Sequence, residues 1–258
     1  METGASASLP SHRPLAGKTA IVTGASGGIG QAIAHKLASL GCAVAVHYRS
    51  RPESAAHVAA QCAAQGVSAI AMAADLTQSD QVNALFTRAE KELGGIDIVV
   101  ANAGVPSVRS AVADITDEQF ESVIAGNVRA TFHVLRAAAR TVRQGGRIVA
   151  IGSSTTIYPG PGFGAYAASK TPVMTLTRIL AAELAARGVT VNTVVAGATD
   201  AGFLDRYSAA AKQRLAAFSP FGRLGTADDI ADIVAFMATH EARWLSGQTL
   251  VANGAATI

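Results

Sequence analysis

From Lys18 onward the chain alternates short apolar runs that lack polar alternation with amphipathic stretches long enough to be helices. A strand without alternation is buried on both faces, which is the condition of a parallel sheet covered by helices. The runs are TAIVTG (19–24), CAVAVHY (42–48), VSAIAMAAD (67–75), IDIVVANAG (96–104), RIVAIGSS (147–154), VTVNTVVAG (189–197) and QTLVAN (248–253). Helices are expected over 29–41, over 52–66 with Pro52 at the first helical position, and over 79–94 with Ser79 as N-cap. A capping-box pair, Thr116 and Gln119, opens one long helix or two over 116–146. Further helices follow Ala165 and Ala227. Repeated strand–helix units imply right-handed crossovers in a doubly wound α/β sheet. The length of 258 residues suits one such domain.

Composition narrows the partners. The net charge of +3 is small and no long Lys/Arg run occurs, so the pI near 9.1 is weak support for nucleic acid, and no such partner is expected. No uninterrupted apolar run reaches membrane-spanning length, and the first fifteen residues lack a secretory apolar core. Residues 1–16 read as a disordered tail, with one domain over 17–258. Cys42 and Cys62 fit reduced, structural thiols of a cytoplasmic protein. No metal site is expected.

Chemistry-bearing residues gather where the strands end. Thr23-Gly24-Ala25-Ser26-Gly27-Gly28-Ile29-Gly30 joins the first strand to the first helix. Glycines at 24, 28 and 30 allow a tight turn and close approach of the main chain to a pyrophosphate at the helix N-terminus. The second strand ends where a dinucleotide ribose lies, and runs into Arg49-Ser50-Arg51 with no acid before Glu53. Arg49 and Ser50, joined by Arg51, suit a 2′-phosphate, and a solvated basic turn is the plain reading beside it. Asp75, with Leu76, and Asn102-Ala103-Gly104 follow the third and fourth strands, although Asp75 also suits a helix cap. Tyr166 and Lys170 are four residues apart on one helix face. An ammonium beside a phenol favours the phenolate and lowers a tyrosine pKa from about 10.

In combination and order, TGASGGIG, Asp75, ANAG, Asn127, Ser153, YAASK and VNTVVAG make the chain resemble the short-chain dehydrogenase/reductase family. The likeness runs from about Lys18 to the C-terminus, and within the family it is closest to 3-oxoacyl-thioester reductases and NADPH-dependent ketone reductases. It implies a single-domain Rossmann-type fold. It also implies a catalytic tetrad of Asn127, Ser153, Tyr166 and Lys170, with Ser153 favoured over Ser154 by its spacing from Tyr166. Tyr166 would protonate a carbonyl oxygen, Ser153 would bond the same oxygen, Lys170 would hold the nicotinamide ribose, and Asn127 would hold a water. Cofactor contacts are implied at Gly24, Ser26, Gly28, Ile29, Gly30, Arg49, Ser50, Asp75, Leu76, Asn102, Ala103, Gly104, Tyr166, Lys170, Gly197 and Thr199, with NADP(H) preferred over NAD(H). Residues 199–222 correspond to the substrate lid, whose Phe203, Tyr207, Phe218 and Phe221, with Tyr158 and Phe163, suggest an apolar or aromatic pocket. A homotetramer and a small carbonyl substrate are implied as well. An NAD-dependent alcohol dehydrogenase and a non-catalytic dinucleotide sensor are the rival readings. The departures are Ala196-Gly197 for Pro-Gly, Ala201 for threonine, Pro172 inside the helix, and the ending VANGAATI.

Overall fold

The computed structural model describes residues 13–106 and 109–256. Among them seven parallel strands form one sheet: β1 (Thr19–Val22), β2 (Ala43–Tyr48), β3 (Ala69–Ala73), β4 (Ile98–Ala101), β5 (Arg147–Ser153), β6 (Thr190–Ala196) and β7 (Thr249–Ala252). Their order is β3-β2-β1-β4-β5-β6-β7. The chain winds outward from β1 in one direction and then from β4 in the other, so the helices after β1 and β4 leave to opposite sides. That divergence opens a crevice at the carboxyl ends of these two strands.

The helices are α1 (Gly28–Ser39), α2 (Pro52–Ala63), α3 (Ser79–Leu93), α4 (Asp117–Val123), α5 (Ala130–Thr141), α6 (Gly164–Leu184), α7 (Ala209–Ala216) and α8 (Ala227–Ala238). Two apolar clusters cover the two sheet faces. Ala20 and Val22 of β1 pack with Ile33, Leu37, Val58 and Val234 of α1, α2 and α8. Ile21, pointing the other way, packs with Phe86, Val134 and Leu180 of α3, α5 and α6. The two-residue period of a strand sends alternate side chains to opposite clusters. Each fully buried Val, Ile or Leu contributes about 1.5–3 kcal/mol, which makes this the force that holds the strand ends in place.

Pro52 stands at the first position of α2, and Thr116 and Gln119 form the capping box of α4. Ser79 is not the N-cap of α3. That place is taken by Gln78, while the Ser79 hydroxyl accepts a 2.6 Å bond from Arg136. The stretch expected as one helix or two over 116–146 is α4 and α5 joined by a π-helical turn over Ile124–Arg129. Pro172 leaves α6 unbroken. The tail expected over 1–16 is shorter at its inner end: Leu15 is buried in the core and its N–H bonds Leu40, while residues 1–12 lie outside the described residues. The VANGAATI ending still completes the sheet, because β7 pairs with β6 and Asn253 packs against Gly197. No described helix is long and apolar enough to cross a membrane.

Candidate active site

The glycine-rich turn between β1 and α1 is pinned from three directions. Gly24 and Gly28 both take positive φ, +66° and +58°, which favours glycine. The Thr23 hydroxyl accepts the N–H groups of Asn102 and Ala103, tying the end of β1 to the end of β4. Asn102 returns the bond through its amide to the Thr23 carbonyl at 2.8 Å. From β2, the buried His47 accepts the Gly24 N–H on Nδ1 at 3.0 Å and bonds the Ala74 carbonyl through Nε2 at 3.0 Å. These bonds require a neutral ring with its proton on Nε2. Burial agrees, pulling the His47 pKa down to about 4.

The first turn of α1 carries no side-chain cap and no acid, so its main-chain N–H groups are left for an anion. A Cβ on Gly30 would lie 2.4 Å from the Gly24 carbonyl oxygen, so that position has no room for a side chain. Beyond the turn, the structure separates the two arginines. The guanidinium of Arg51 stands over Gly27, whereas Arg49 lies near Asp75 and helps to keep that carboxyl ionised. Asp75 itself makes a local turn, accepting both the N–H and the hydroxyl of Thr77, and the first of these bonds is the main reason its pKa lies below the usual carboxylate range. The helix-cap reading of Asp75 does not hold, because α3 has Gln78 at its N-cap with no side-chain cap and Asp75 closes a turn ahead of the helix. Leu76 is buried beside it, and its carbonyl bonds His133.

A cleft of about 590 Å³ runs from Ile29, Asn102 and Gly104 past Ser153, Tyr166 and Lys170 to Gly197 and Thr199. The end of β5 presents Ser153, and α6 presents Tyr166 and Lys170 one turn apart. Burial against the cleft wall pushes the Tyr166 phenol up, and a hydrogen bond with Ser153 pulls it part of the way back. This corrects the expectation that Lys170 sets the tyrosine low. Burial acts on Lys170 too, bringing its ammonium down to about 8, and its Nζ donates to the Ile151 carbonyl at 3.3 Å.

Asn127 sits in the π-helical turn, fully buried. Its Oδ1 accepts the Val105 N–H at 2.8 Å, and its Nδ2 donates to the Val105 carbonyl and to the Ser169 hydroxyl. Ser169 in turn donates to the Tyr166 carbonyl at 2.7 Å. The asparagine thus grips the loop after β4 and, through Ser169, the turn of α6 that carries the tyrosine. Gly104 makes the approach possible, since a Cβ there would lie 2.8 Å from Asn127 Oδ1 and 3.1 Å from Lys170 Nζ. Sequence reading passed over His47, Ser169 and Thr23. A histidine in an otherwise apolar strand was the visible sign of the first.

Aromatic side chains form much of the outer cleft. Tyr158, Phe163, Phe203, Tyr207 and Phe218 line it, and the Phe203 ring stands edge-on to Tyr166 at 6.4 Å. Phe221 is not in the lining and is 71% exposed, so the aromatic pocket expected from the lid omits it. Thr199 turns its hydroxyl to the Gly197 carbonyl at 3.0 Å, at the cleft floor. Ala201, the departure from threonine, lies beside it in the lining.

Known proteins carry the same architecture. A family model described as Enoyl-(Acyl carrier protein) reductase matches residues 24–257. A Short-chain type dehydrogenase/reductase of Picea abies is 40% identical over 251 residues, 93% of this chain and 92% of that protein. An NADPH-dependent aldehyde reductase-like chloroplastic protein of Arabidopsis thaliana is 38% identical over 269 residues, 98% of this chain and 99% of that one. Among solved structures, the angucycline C-6 ketoreductase LanV with bound NADP superposes with a TM-score of 0.89 at 36% identity, over 95% of this chain and 97% of that chain. A fold shared at this level, together with the sheet order and the cleft at its switch point, makes the chain a member of the short-chain dehydrogenase/reductase family.

Proposed function

We propose that the chain is an NADPH-dependent reductase that converts an apolar or aromatic ketone to a secondary alcohol. The observation that carries this reading is geometric: Tyr166, Ser153 and Lys170 line the inner part of one aromatic-walled cleft, with the tyrosine and lysine one turn apart on α6. The residues fit a dinucleotide: the uncapped first turn of α1 suits a pyrophosphate, and the turn after β2 is basic, with no acid to accept a ribose 2′-hydroxyl. Ser26, Gly28 and Ile29 would border the phosphates, Asn102, Ala103 and Gly104 the adenosine side, and Gly197 and Thr199 the nicotinamide. The NADPH dependence in the name of the Arabidopsis relative and the NADP bound in the LanV structure support NADPH.

Bound NADPH supplies the hydride. The chain's own work is to orient the carbonyl and to deliver a proton. The Ser153 hydroxyl donates to the substrate oxygen, and Tyr166 gives that oxygen its phenolic proton as negative charge develops there. Lys170, cationic below its pKa of about 8, lies one turn behind and stabilises the phenolate that remains. Asn127 is a positioning residue, fixing Val105 and Ser169 so that the tyrosine keeps its place. The aromatic lining supports the choice of ketone, as does the substrate in LanV's name. Two buried free thiols suit a reducing compartment, here proposed as the cytoplasm.

Replacing Tyr166 by Phe tests the reading. Ketone reduction should fall by about 10² or more, as expected on losing a general acid, while NADPH affinity stays within a few-fold. Near-normal turnover in Tyr166→Phe would remove the proposed proton donor.

A further inference from the structure

We propose that the ketone taken by this cleft carries a carboxylate, and that Arg109, stacked on Phe163 in the outer cleft, is the residue that receives it. The inference rests on the ketone-reductase reading and names the substrate class of the same site.

Three observations carry it. First, the charge in the cleft has one sign. Arg109, Lys170, Arg214 and Arg223 line it, and no Asp or Glu does among the described residues. The chain as a whole is nearly balanced, with 21 Lys and Arg against 18 Asp and Glu, so the asymmetry belongs to the cleft. A cleft lined by one sign of charge draws in ligands of the other. Second, two of these cations are committed and two are not. Lys170 donates to the Ile151 carbonyl, and Arg223 makes a two-pronged bond to Asp229. Arg109 and Arg214 have neither an ion pair nor a side-chain hydrogen bond among the described residues. Third, Arg109 is held in place before any ligand arrives. Its guanidinium carbon lies 5.0 Å from the centre of the Phe163 ring. Its stem runs over Gly162, where a Cβ would lie 2.7 Å from Cγ and 3.1 Å from Nε of the arginine. The neighbouring Ser110 N–H bonds the Gly162 carbonyl at 3.2 Å, which ties the loop after β4 to the loop after β5.

Stacking uses the face of a guanidinium and leaves the N–H groups at its edge free. Two of those groups match the two oxygens of a carboxylate. The ring that carries the guanidinium is also a wall for the apolar body of the substrate. Arg214 adds its charge from the lid, since Ala211, Arg214 and Leu215 are three and four residues apart and share the face of α7 that lines the cleft. The ketone is then held at both ends, its carbonyl at Tyr166 and Ser153 and its carboxylate at Arg109.

The test uses acetophenones that carry a carboxylate on alkyl spacers of graded length, each beside its neutral primary amide, with reduction followed by NADPH absorbance. At the best spacer the wild type should favour the acid over the amide by about tenfold in kcat/KM. Most of that preference should sit in KM and fade with added salt. Arg109→Gln should bring the acid-to-amide ratio to about one, with NADPH affinity held within about threefold as the sign of an intact fold. Arg109→Lys should keep an intermediate ratio, because it retains the charge without the planar fork. A ratio near one in the wild type at every spacer, or a ratio that Arg109→Gln leaves intact, overturns the assignment while the ketone reading stands. If no ketone is reduced, titration calorimetry of the same acids in the presence of NADPH decides. Acids that bind the wild type and not Arg109→Gln leave Arg109 as an anion site and overturn the reductase reading. Acids that bind both alike, or neither, overturn the two together.

Discussion

Lys170 and Tyr166 are displaced in opposite directions by one cause. Burial disfavours charge, so the ammonium pKa falls to about 8 and the phenol pKa rises. Near neutral pH the pair then holds a protonated tyrosine beside a protonated lysine, the state needed to give a proton to an alkoxide. Raising the pH through about 8 discharges Lys170 first, and the phenolate loses the cation that stabilises it. In the reduction direction, kcat/KM at saturating NADPH should be level from about pH 6.5 to 7.5 and decline through pH 8 to 9. A profile flat to pH 9 would mean that Lys170 does not titrate in the working enzyme. The residues of this pair were readable in the chain because their spacing is local. Four positions on a helix fix a shared face whatever the rest of the fold does. Arg51 was only half readable: Arg49, Ser50 and Arg51 were visible together as a basic turn, but which of them bends back over Gly27 depends on where α2 begins. The sign of the Tyr166 shift was not readable at all, since it depends on how deep α6 lies against the cleft wall.

At the scale of elements, His47 acts as a clip joining β2, the glycine-rich turn and the end of β3 through two bonds of a neutral ring. Its folded pKa of about 4 lies below the ordinary 6.5, so as pH falls the unfolded chain takes up its proton first. The stability it contributes is therefore complete above about pH 6.5 and is lost progressively as pH falls toward 4, by about 3 kcal/mol in all. Other groups also titrate there, so the measurement is a difference. Urea unfolding of wild type and His47→Gln at pH 7.5 and 4.5 should give a stability gap that narrows by about 2–3 kcal/mol at the lower pH. A gap that does not change would mean that His47 is charged in the folded protein or exchanges freely with solvent. The elements themselves were largely legible. Seven apolar runs became seven strands because strands buried on both faces advertise themselves by composition alone. What escaped were departures from regular periodicity. The π-helical turn over Ile124–Arg129 inserts a wider turn that apolar spacing does not mark, and it is this turn that carries Asn127. Helix α7, AAAKQRLA, is short with no buried residue, so it offered no apolar stripe to read.

For the whole molecule, exposed apolar side chains away from the cleft and its lid lie on two separate faces. On one side of the sheet, Phe120, Phe132 and Ile179 of α4, α5 and α6 are 41%, 41% and 53% exposed. At the opposite layer and the β7 edge, Phe236, Trp244 and Val251 are 46%, 95% and 45% exposed. Contiguous exposed apolar surface of this kind marks contact sites in soluble proteins. A face that meets its own copy about a two-fold axis gives a dimer, and two different faces used in that way close a tetramer with dihedral symmetry. The proposed assembly is that homotetramer. Light scattering at micromolar concentration should return about four times the 26.1 kDa of one chain. Trp244→Glu should stop assembly at a dimer through the α4–α6 face. Phe132→Glu with Ile179→Glu should stop it at a dimer through the β7 face, and the combined variant should be a monomer. Each substitution is at an exposed position, so secondary structure by circular dichroism should be unchanged and a change of mass reports the interface. A monomeric wild type would show that both faces meet solvent, and a tetramer that survives Trp244→Glu would move the second interface away from β7.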